Sequence, residues 1–525
     1  PNALYLNRGD FRFEAVTEAA GVAGTADWST GVTMADVNGD GRLDLYVSVV
    51  SGLHGLEGHN QLFINQGPGP DGVPRFEERA AAYNLDQRSL GTQAAFFDYD
   101  GDGDLDVYLL NSSVHEEQTY GRSSLRKTTS ERAGDRLYEN VSGASGDPEA
   151  SPFVEVTDTA GIYSGRTGYG LGVAVSDLDR NGCPDLYVAN DFHEHDYLYY
   201  NNCDGTFTEA IERATRHVSY SSMGVDAADV NNDGRPDLAV LDMLPAREEL
   251  QNTTAGADTE EIYELKRRYG YHHQLDRNTL QLNRGHRRFS EIGLLAGVAA
   301  TDWSWAPLFA DLDNDGRKDL FVTNGIVRRP NDLDFVDYAS QPAVAEKMQT
   351  IDEQDLSIRE RLPPGRAPNV AFRNDGDLTF SDSSAAWGLG RTGVSNGAAY
   401  ADLDNDGSLD LVVNNIGAPA SIYENRADAL REHHFLQVRL KGGPDNTHGV
   451  GARVAVHQPG RTQFLEQTPT RGYQSSVPPR LHAGLGTQGV DSLVVTWPNG
   501  AVETRRPVPV DTTLTLRRAD ATTPD

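Results

Sequence analysis

Six stretches of the chain share a pattern of oxygen-bearing side chains that could hold a metal ion. The pattern is D-x-[D/N]-x-[D/N]-G-x-x-D, and its copies begin at Asp36, Asp98, Asp177, Asp229, Asp311 and Asp402. The side chains of positions 1, 3, 5 and 9 can converge on one point, glycine at position 6 permits the sharp turn, and the carbonyl of position 7 can also point inward. These hard oxygen ligands suit Ca²⁺ better than the strict octahedral geometry that Mg²⁺ demands. The six loops therefore predict about six bound calcium ions.

The predicted ligands of each loop are four side chains and the carbonyl of the seventh residue. They are Asp36, Asn38, Asp40, Arg42 and Asp44; Asp98, Asp100, Asp102, Asp104 and Asp106; Asp177, Asp179, Asn181, Cys183 and Asp185; Asp229, Asn231, Asp233, Arg235 and Asp237; Asp311, Asp313, Asp315, Arg317 and Asp319; and Asp402, Asp404, Asp406, Ser408 and Asp410. One copy would be explained equally well as a solvated acidic turn, because Asp, Asn and Gly are ordinary turn residues. Six copies that keep the four oxygen ligands and the glycine favour a metal site.

The residues after each loop indicate what kind of calcium module this is. Position 9 is followed directly by short runs of β-branched and aromatic residues, such as Leu45-Tyr-Val-Ser48 and Leu186-Tyr-Val-Ala189. Such runs are typical of β-strands. An EF-hand, by contrast, needs a twelve-residue loop that ends in glutamate and is flanked by helices. We therefore expect each loop to connect two strands of a β-hairpin.

A second repeat alternates with the calcium loops. It is a short strand that ends in asparagine, and its copies end at Asn7, Asn65, Asn140, Asn201, Asn283, Asn374 and Asn425. Together the two repeats give four short strands per unit, which is the composition of a β-propeller blade. A linear solenoid is the alternative, but its capping units would look less regular. The first unit begins at its third strand, as expected if both chain ends close a ring. The sequence predicts an all-β fold with a seven-bladed propeller, with six blades as the second choice.

The loops resemble the FG-GAP or VCBS repeats of integrin α-subunit propellers. Longer strings are similar to the cartilage acidic protein family, namely Val188-Ala-Asn-Asp-Phe192, Met223-Gly-Val-Asp226, Asp302-Trp-Ser-Trp-Ala-Pro307 and Asn369-Val-Ala-Phe-Arg-Asn374. Others resemble the ASPIC/UnbV domain that ends this family: Gly449-Val-Gly-Ala-Arg453, Arg471-Gly-Tyr-Gln-Ser-Ser476, Gly484-Leu-Gly486 and Trp497-Pro-Asn-Gly500. The resemblance covers essentially the whole chain and implies a calcium-binding propeller followed by a small β domain.

The predicted boundary between two domains lies near residue 430. Residues 1–430 would form the propeller, and residues 431–525 a small β-sandwich-like domain with alternating strands such as His434–Leu440. A strand of this last domain could join the propeller. Three insertions interrupt the propeller, at 112–135, 243–277 and 325–367, and the second contains a predicted helix over 259–269. Long insertions lie on a face of a propeller, where function is usually located.

Charge and cysteine usage limit the partners and the location of the protein. The formal charge of −32 disfavours nucleic acid and anionic membranes as partners. Because no apolar run approaches the length of a transmembrane helix, no membrane span is predicted. Cys183 and Cys203 flank two strands that would form a hairpin around residues 192–194, which predicts a disulfide; two free thiols are the alternative. A disulfide and calcium loops that fill at extracellular calcium levels favour a secreted, periplasmic or cell-surface location.

Two groups of residues outside the loops could bind a ligand. His193 and His195 would project to the same side of a strand, as metal ligands do, although a hairpin tip also favours polar residues. Trp303 and Trp305 likewise share a side. They would either pack between blades or form an aromatic platform near the propeller axis, where sugars, peptides or apolar small molecules could stack. Candidate polar neighbours of this platform are Asp191, Asn324 and Arg328.

The sequence thus predicts a calcium-binding propeller that binds a protein, a glycan or a small molecule at one face, with calcium mainly structural. The second hypothesis is a calcium-dependent enzyme, such as a cyclase, lyase or hydrolase, with its active site on a face built by the insertions. No spacing in the sequence identifies a catalytic pair, and propellers host both binders and enzymes. A binding protein is therefore preferred, and no catalytic residue is assigned.

Overall fold

The structure is a computed structural model that describes residues 2–114, 123–142, 152–256, 258–344, 358 and 360–522. Residues 115–122 of the first predicted insertion, residues 345–357 and 359 of the third, and residues 523–525 lie outside the described part. Helices in the described part are short. The α-helices span Thr17–Ala20, Ile211–Ala214, Glu248–Gln251, Glu260–Arg268, Gly293–Ala296, Leu333–Ala339 and Ala427–Leu430, and the 3-10 turns span Ala80–Tyr83, Ser123–Lys127 and Arg518–Asp520.

Strands dominate the described chain up to residue 430. In chain order they are β1 (Tyr5–Asn7), β2 (Phe13–Ala15), β3 (Ser29–Ala35), β4 (Asp44–Val49), β5 (Gln61–Pro68), β6 (Pro74–Glu78), β7 (Gly91–Phe97), β8 (Asp106–Asn111), β9 (Arg136–Asn140), β10 (Phe153–Glu155), β11 (Gly170–Ser176), β12 (Asp185–Asn190), β13 (Tyr197–Asn201), β14 (Phe207–Glu209), β15 (Val218–Ser219), β16 (Val225–Ala228), β17 (Asp237–Val240), β18 (Gln274–Leu275), β19 (Thr279–Asn283), β20 (Phe289–Glu291), β21 (Ser304–Ala310), β22 (Asp319–Asn324), β23 (Ile326–Arg328), β24 (Pro364–Gly365), β25 (Ala367–Pro368), β26 (Val370–Asn374), β27 (Phe380–Asp382), β28 (Thr392–Gly393), β29 (Ser395–Ala401), β30 (Asp410–Asn415) and β31 (Ser421–Tyr423).

Five antiparallel sheets have four strands each and follow the predicted unit. They are β3–β6, β7–β10, β11–β14, β16–β17–β19–β20 and β21–β22–β26–β27. The first strands of successive sheets pack side by side, from β3 and β7 through β11, β16 and β21 to β29, so they line a common axis. This arrangement confirms the predicted all-β propeller, in which each sheet is a blade.

The middle strands of the blades explain the apolar runs seen in the sequence. Every residue of β8 and of β12 is buried, because neighbouring blades cover both faces of each sheet. In the third blade Ser176 lies opposite Asp185, so the calcium loop closes the hairpin between β11 and β12. A strand buried on both faces carries unbroken apolar residues instead of an alternating pattern.

The two ends of the ring meet between β29–β31 and β3. The sheet β29–β30–β31 has three strands, and β1–β2 form a separate two-stranded sheet. Asn7 Nδ2 donates to Leu403 O at 2.8 Å, just as Asn425 Nδ2 donates to Leu312 O of its preceding blade at 2.8 Å. The pair β1–β2 therefore occupies the third and fourth strand positions of the blade that follows β29–β31.

The remaining strands belong to a second region. They are β32 (His434–Lys441), β33 (Arg453–Gln458), β34 (Arg461–Glu466), β35 (Thr470–Arg471), β36 (Ser475–Ser476), β37 (Leu481–Gly486), β38 (Ser492–Thr496), β39 (Val502–Arg505) and β40 (Thr512–Arg517). Two sheets, β37–β32–β40 and β34–β33–β38–β39, enclose one apolar core that includes Leu436, Val454 and Trp497. This is the predicted sandwich-like C-terminal domain.

The hairpin β35–β36 leaves this domain and enters the central channel of the propeller. Strand β36 packs against both β3 and β29, and β35 packs against β7, β11 and β16. Val32 N donates to Gln474 O at 3.3 Å, and Gln93 Nε2 donates to Ser475 O at 3.1 Å. The C-terminal domain thus supplies an inner strand where the ring of first strands is open. Strands β1, β2 and β36 thus provide three strands between the sheet β29–β31 and strand β3. The seven-blade count remains a prediction.

The connections lie at two opposite ends of the blades. Calcium loops join first to second strands, whereas the three predicted insertions join second to third strands. Because consecutive strands are antiparallel, these connections define a loop face and an insertion face. In the second insertion, the helix Glu260–Arg268 begins after Thr259, whose side chain accepts from Ile262 N, in agreement with the helix predicted over 259–269.

Candidate functional site

In four of the six loops, three aspartates bring carboxylate oxygens within 4.8 Å of one another. The groups are Asp98, Asp100 and Asp106; Asp177, Asp179 and Asp185; Asp311, Asp313 and Asp315; and Asp402, Asp404 and Asp410. In the third loop, Gly182 has a φ of 100° and donates its N–H to Asp177 at 3.1 Å. This left-handed turn, which favours glycine, holds the carboxylates on the inside of the bend. Converging carboxylates on a tight turn can hold a divalent cation.

The aspartate at position 9 ties each loop to the rest of its blade. Asp185 accepts from Leu178 N and from Asn201 N, each at 2.8 Å. Asn201 Nδ2 in turn donates to Tyr99 O of the preceding blade at 2.7 Å. The two backbone contacts to position 9 recur in all six loops. The two sequence repeats thus act as one unit, which links the loop to the third strand and each blade to its neighbour.

Burial makes the ionised form of several loop carboxylates unfavourable. Desolvation, and then the neighbouring aspartates, raise the pKa of Asp104 to about 8. Burial also raises the pKa of Asp98 to about 6 and that of Asp311 to about 7. One buried oxygen each of Asp104, Asp177 and Asp402 has no hydrogen-bond partner in the described part of the chain. A divalent cation would supply the missing charge and the missing partner, so these residues fit the metal that the loop pattern predicts.

Among the described residues, the first and fourth loops are the two that do not bring three carboxylates together. Both have asparagine at position 3, where the remaining loops have aspartate. In the fourth loop, Arg235 pairs with Asp233 at 3.0 Å, and the same pair forms between positions 5 and 7 of the first loop. Calcium affinity falls as the number of charged ligands falls. These two loops are therefore the weaker candidates for a metal ion.

The thirty residues predicted from the loop pattern all lie between the first and second strands of their blades, or at the first residue of the second strand. The predicted disulfide is confirmed, because Cys183 and Cys203 are bonded with their Cα atoms 5.8 Å apart. Cys203 follows the third strand, β13. The bond therefore joins the third calcium loop to the same strand that Asp185 already contacts.

The C-terminal domain covers the loop face. Its side chains contact the first aspartate of three loops, in the pairs Arg453 with Asp177, Thr447 with Asp36, and Gln437 with Asp402. Glu466 accepts from Asp177 N at 3.0 Å, and Arg461 donates to Asp315 O at 2.6 Å. Sequence analysis missed these partners, because they join residues far apart in the chain. A change in loop geometry would therefore reach the domain interface directly.

The two predicted tryptophans meet the tip of the hairpin at the far end of the channel. Trp303 is 8% exposed and lies in an apolar cluster with Met223 and Tyr473. Trp305 is half-buried, and its ring centroid lies 5.1 Å from that of Tyr473. Its Nε1 donates to Gly325 O at 2.8 Å. Trp303 therefore packs in the core, whereas Trp305 keeps part of its ring at the surface.

The other predicted ligand-binding residues lie on the insertion face in different surroundings. Asp191 is buried, which raises its pKa to about 7. Asn324 is buried, and its amide accepts from Ser304 Oγ at 2.7 Å and donates to Pro368 O at 2.9 Å. Arg328 is exposed. Asn324 lies opposite Ser304, the residue between the two tryptophans, and the platform with its other polar neighbours remains a prediction.

The two predicted histidines have separate environments. Burial lowers the pKa of His195 to about 4, and its Nδ1 accepts from His272 N at 3.0 Å. His193 lies with its ring centroid 6.2 Å from that of Tyr220. Among the described residues, the groups able to hold a metal include neither histidine. The paired metal site considered from the sequence therefore finds no support in this geometry.

Two sequence families match the chain. The FG-GAP-like repeat family matches residues 1–47, 177–240, 271–322 and 356–413. The ASPIC and UnbV family matches residues 442–523, which include the hairpin β35–β36. In the part of the chain that the structure describes, no helix combines the length and apolarity needed to cross a bilayer.

Known proteins resemble the chain over most of its length. Cartilage acidic protein 1 of Xenopus tropicalis is 24% identical over 485 residues, which cover 90% of this chain and 62% of the relative. The Homo sapiens protein is 24% identical over 497 residues, covering 90% of this chain and 60% of the relative. The chain thus spans less than two thirds of the length of these relatives.

Solved structures show weaker likeness. An Agrocybe aegerita lectin that recognises non-reducing terminal N-acetylglucosamine has a TM-score of 0.40 and 15% identity, covering 81% of this chain and 88% of that chain. The V. cholerae biofilm matrix protein Bap1 has a TM-score of 0.30 and 12% identity, covering 92% of this chain and 60% of that chain. By its sequence matches, this chain belongs to the family of proteins that combine FG-GAP-like repeats with a terminal ASPIC and UnbV domain.

Proposed function

We propose that the chain is a secreted calcium-binding β-propeller that binds a partner at its insertion face, and that calcium is mainly structural. The observation that carries the proposal is the convergence of three carboxylates in each of four loops. About six ions would bind if the two loops with asparagine at position 3 also fill. Calcium would neutralise aspartates that otherwise repel one another.

The ions would also hold the C-terminal domain in place. Asp177 is both a predicted calcium ligand and a partner of Arg453. Gln437 Nε2 donates to Asp402 Oδ2 at 2.6 Å in the same way. Because these contacts need the loop in one conformation, an ion that fixes the loop also fixes the surface on which the domain rests.

Three observations support secretion. The bond between Cys183 and Cys203 is of a kind that persists in oxidising compartments. Calcium loops of moderate affinity fill at extracellular calcium levels. The relatives carry the name of cartilage, an extracellular tissue.

The insertion face supports partner binding, because the C-terminal domain covers the opposite face. Trp28, which precedes β3 at this end, is 55% exposed, and Val327 of the third insertion is 52% exposed. Further exposed apolar side chains in connections at this end are Ile262, Leu265, Leu333, Val336 and Ile416. Apolar side chains that form a contiguous patch are typical of interaction surfaces, and these side chains all come from one end of the propeller. An aromatic and aliphatic surface of this kind suits a protein or a glycan.

Calcium binding can be tested by titrating the chelated protein and following both the heat of binding and the melting temperature. At a calcium concentration one hundred times the Kd, each ion would stabilise the fold by about 2.7 kcal/mol. Magnesium at the same concentration is the control, and we expect a much smaller shift. A melting temperature that is the same in calcium and in chelator would contradict the structural role.

Partner binding can be tested on a glycan array and by affinity capture of extracellular proteins. The variant Trp28→Ser with Val327→Ser should lose the partner. Val154→Ser with Leu430→Ser is a matched control, since these residues are 47% and 80% exposed, the first in the middle of the outer strand β10 and the second on the helix Ala427–Leu430 that follows a third strand at the loop end. Equal loss in both variants would contradict a site on the insertion face.

A further inference from the structure

A cavity of about 300 Å³ lies between the propeller and the C-terminal domain. Its propeller wall contains Ala227, Phe309 and Tyr400, which lie near the ends of the inner strands β16, β21 and β29. The opposite wall contains Val477 and Leu481, which follow the hairpin that fills the channel. The cavity is thus at the loop-face mouth of the channel, away from the insertion face.

One residue of the cavity wall departs from the repeat. Position 8 of the calcium loop is apolar in five copies, namely Leu43, Leu105, Pro184, Pro236 and Leu409, but it is Lys318 in the fifth. Pro236 and Leu409 line the same cavity as Lys318. The loop therefore does not need a lysine at this position. A charged group facing a partly apolar enclosure is unfavourable unless it has a partner there.

Lys318 has spare hydrogen-bonding capacity and no counter-ion of its own. Its Nζ donates to His482 O at 3.3 Å and forms no ion pair within the described part of the chain. The nearby carboxylates of Asp311 and Asp319 are predicted calcium ligands, so this step rests on the proposed calcium binding. The hydroxyl of Tyr400, also on the cavity wall, makes no hydrogen bond to a described residue.

The arginines of the wall already have other partners: Arg480 donates to Gln437 Oε1 at 3.1 Å, and the guanidinium of Arg180 lies over the ring of Phe464. Arg471 donates to Asp226 at 2.9 Å, and Arg453 pairs with Asp177. The ammonium of Lys318 and the phenol of Tyr400, which line the same cavity, can satisfy one carboxylate, whereas a phosphate would need more donors to replace its hydration. The apolar walls favour a ligand that has an uncharged body.

We propose that this cavity binds a small organic carboxylate, with its charged group on Lys318 and Tyr400 and its apolar body against Phe309, Val477 and Leu481. The volume lies at the low end of pockets that hold small molecules. The ligand class is therefore a short aliphatic or a single-ring aromatic monocarboxylic acid.

The test uses the full chain saturated with calcium, titrated calorimetrically with hexanoate and with benzoate. Hexanamide and benzamide are the matched neutral probes. We expect at least one acid to bind and its amide to bind at least tenfold more weakly. Equal affinity of acid and amide, or no binding of either acid, would overturn the proposal.

Two variants assign the site. Lys318→Leu introduces the residue that the sixth loop has at the same position, and it should weaken acid binding at least tenfold. Tyr400→Phe should weaken it by a smaller factor. Calcium binding is measured on the same samples. A Lys318→Leu variant that still binds calcium but no longer binds the acid supports the proposal. If this variant binds neither, the defect is in the loop, and Tyr400→Phe and the acid–amide comparison decide. Unchanged acid binding in Lys318→Leu would overturn the assignment.

Discussion

Arg471 donates through Nη1 to Asp226 Oδ1 at 2.9 Å, although 245 residues separate the two in the chain. Asp226 lies on β16 of the propeller, and Arg471 lies on the hairpin from the C-terminal domain. The second oxygen of Asp226 accepts from Phe309 N of the next blade at 2.7 Å. This buried pair therefore joins the hairpin to two blades at once.

Removing one partner of this pair should destabilise the whole assembly. Arg471→Met leaves the buried Asp226 carboxylate without a counter-charge, which costs about 3–5 kcal/mol in comparable buried pairs. We expect a lower melting temperature by calorimetry in saturating calcium. The double variant Arg471→Met with Asp226→Asn should recover part of the loss, because no charge remains buried. Equal melting temperatures of the single and double variants would show that the ion pair is not what holds the hairpin.

Two aspartates outside the calcium loops should make stability depend on pH. Asp135 and Asp196 directly precede the third strands of their blades, and burial raises the pKa of each to about 7. Tyr108 and Tyr187 donate their hydroxyls to them at 2.8 Å and 2.6 Å. A carboxyl whose pKa is raised by folding contributes stability that is complete below its unfolded pKa near 4 and is lost as the pH rises through 7. Each should therefore cost about 2 kcal/mol between pH 5 and pH 8.

The repeat itself supplies the matched variants for this test. Three other blades have asparagine at the same position, namely Asn60, Asn278 and Asn369. Asp135→Asn with Asp196→Asn should raise the melting temperature at pH 8 and flatten its dependence on pH, measured in saturating calcium. A pH profile that keeps the slope of the unchanged protein would rule out these two groups as its cause.

The repeats could be predicted from the sequence because each is local. The nine-residue loop from Asp177 to Asp185 contains its own ligands and its own glycine turn, and the strand that follows has a clear pattern. The strand ending at Asn201 was found for the same reason. Even the disulfide from Cys183 needed only the pairing of neighbouring strands.

The contacts that join the units could not be predicted in this way. The side chain of Asn201 reaches the backbone of Tyr99 in the preceding blade, and neither residue is unusual within its own strand. The string Arg471–Ser476 resembles a family motif, but no periodicity places it inside the propeller channel. Such contacts depend on ring closure and on domain docking, which bring together residues hundreds of positions apart.

The calcium loops should fall into two affinity classes. The fourth loop has Asn231 at position 3 and an arginine paired with Asp233, so it has fewer free anionic ligands than the second loop, in which positions 1, 3, 5 and 9 are all aspartate. Isothermal titration should resolve tight and weak sites. Asn231→Asp should move one site from the weak to the tight class, because ligand charge sets affinity in calcium loops. Asn231→Ala is the control and should leave the number of tight sites unchanged; a gain in both variants would contradict the ligand assignment.

Crowding the channel beside the hairpin should release it. A Cβ atom on Gly397 of β29 would lie 2.9 Å from Ser475 Oγ and 3.2 Å from Tyr473 O, and the second of these belongs to the backbone of the hairpin. Gly397→Val should therefore cost about 1–3 kcal/mol, the usual range for an overpacked site.

The displaced hairpin should also be visible at both of its ends. Tyr473 would leave the ring of Trp305, so tryptophan emission should shift to the red as that ring meets water. The C-terminal domain would lose its anchor in the channel, and limited proteolysis should cut more rapidly near residue 430. Gly390→Val is the matched control, because a Cβ atom there meets nothing within 4 Å. If the two valine variants melt and are cleaved alike, the hairpin does not depend on its fit beside β29.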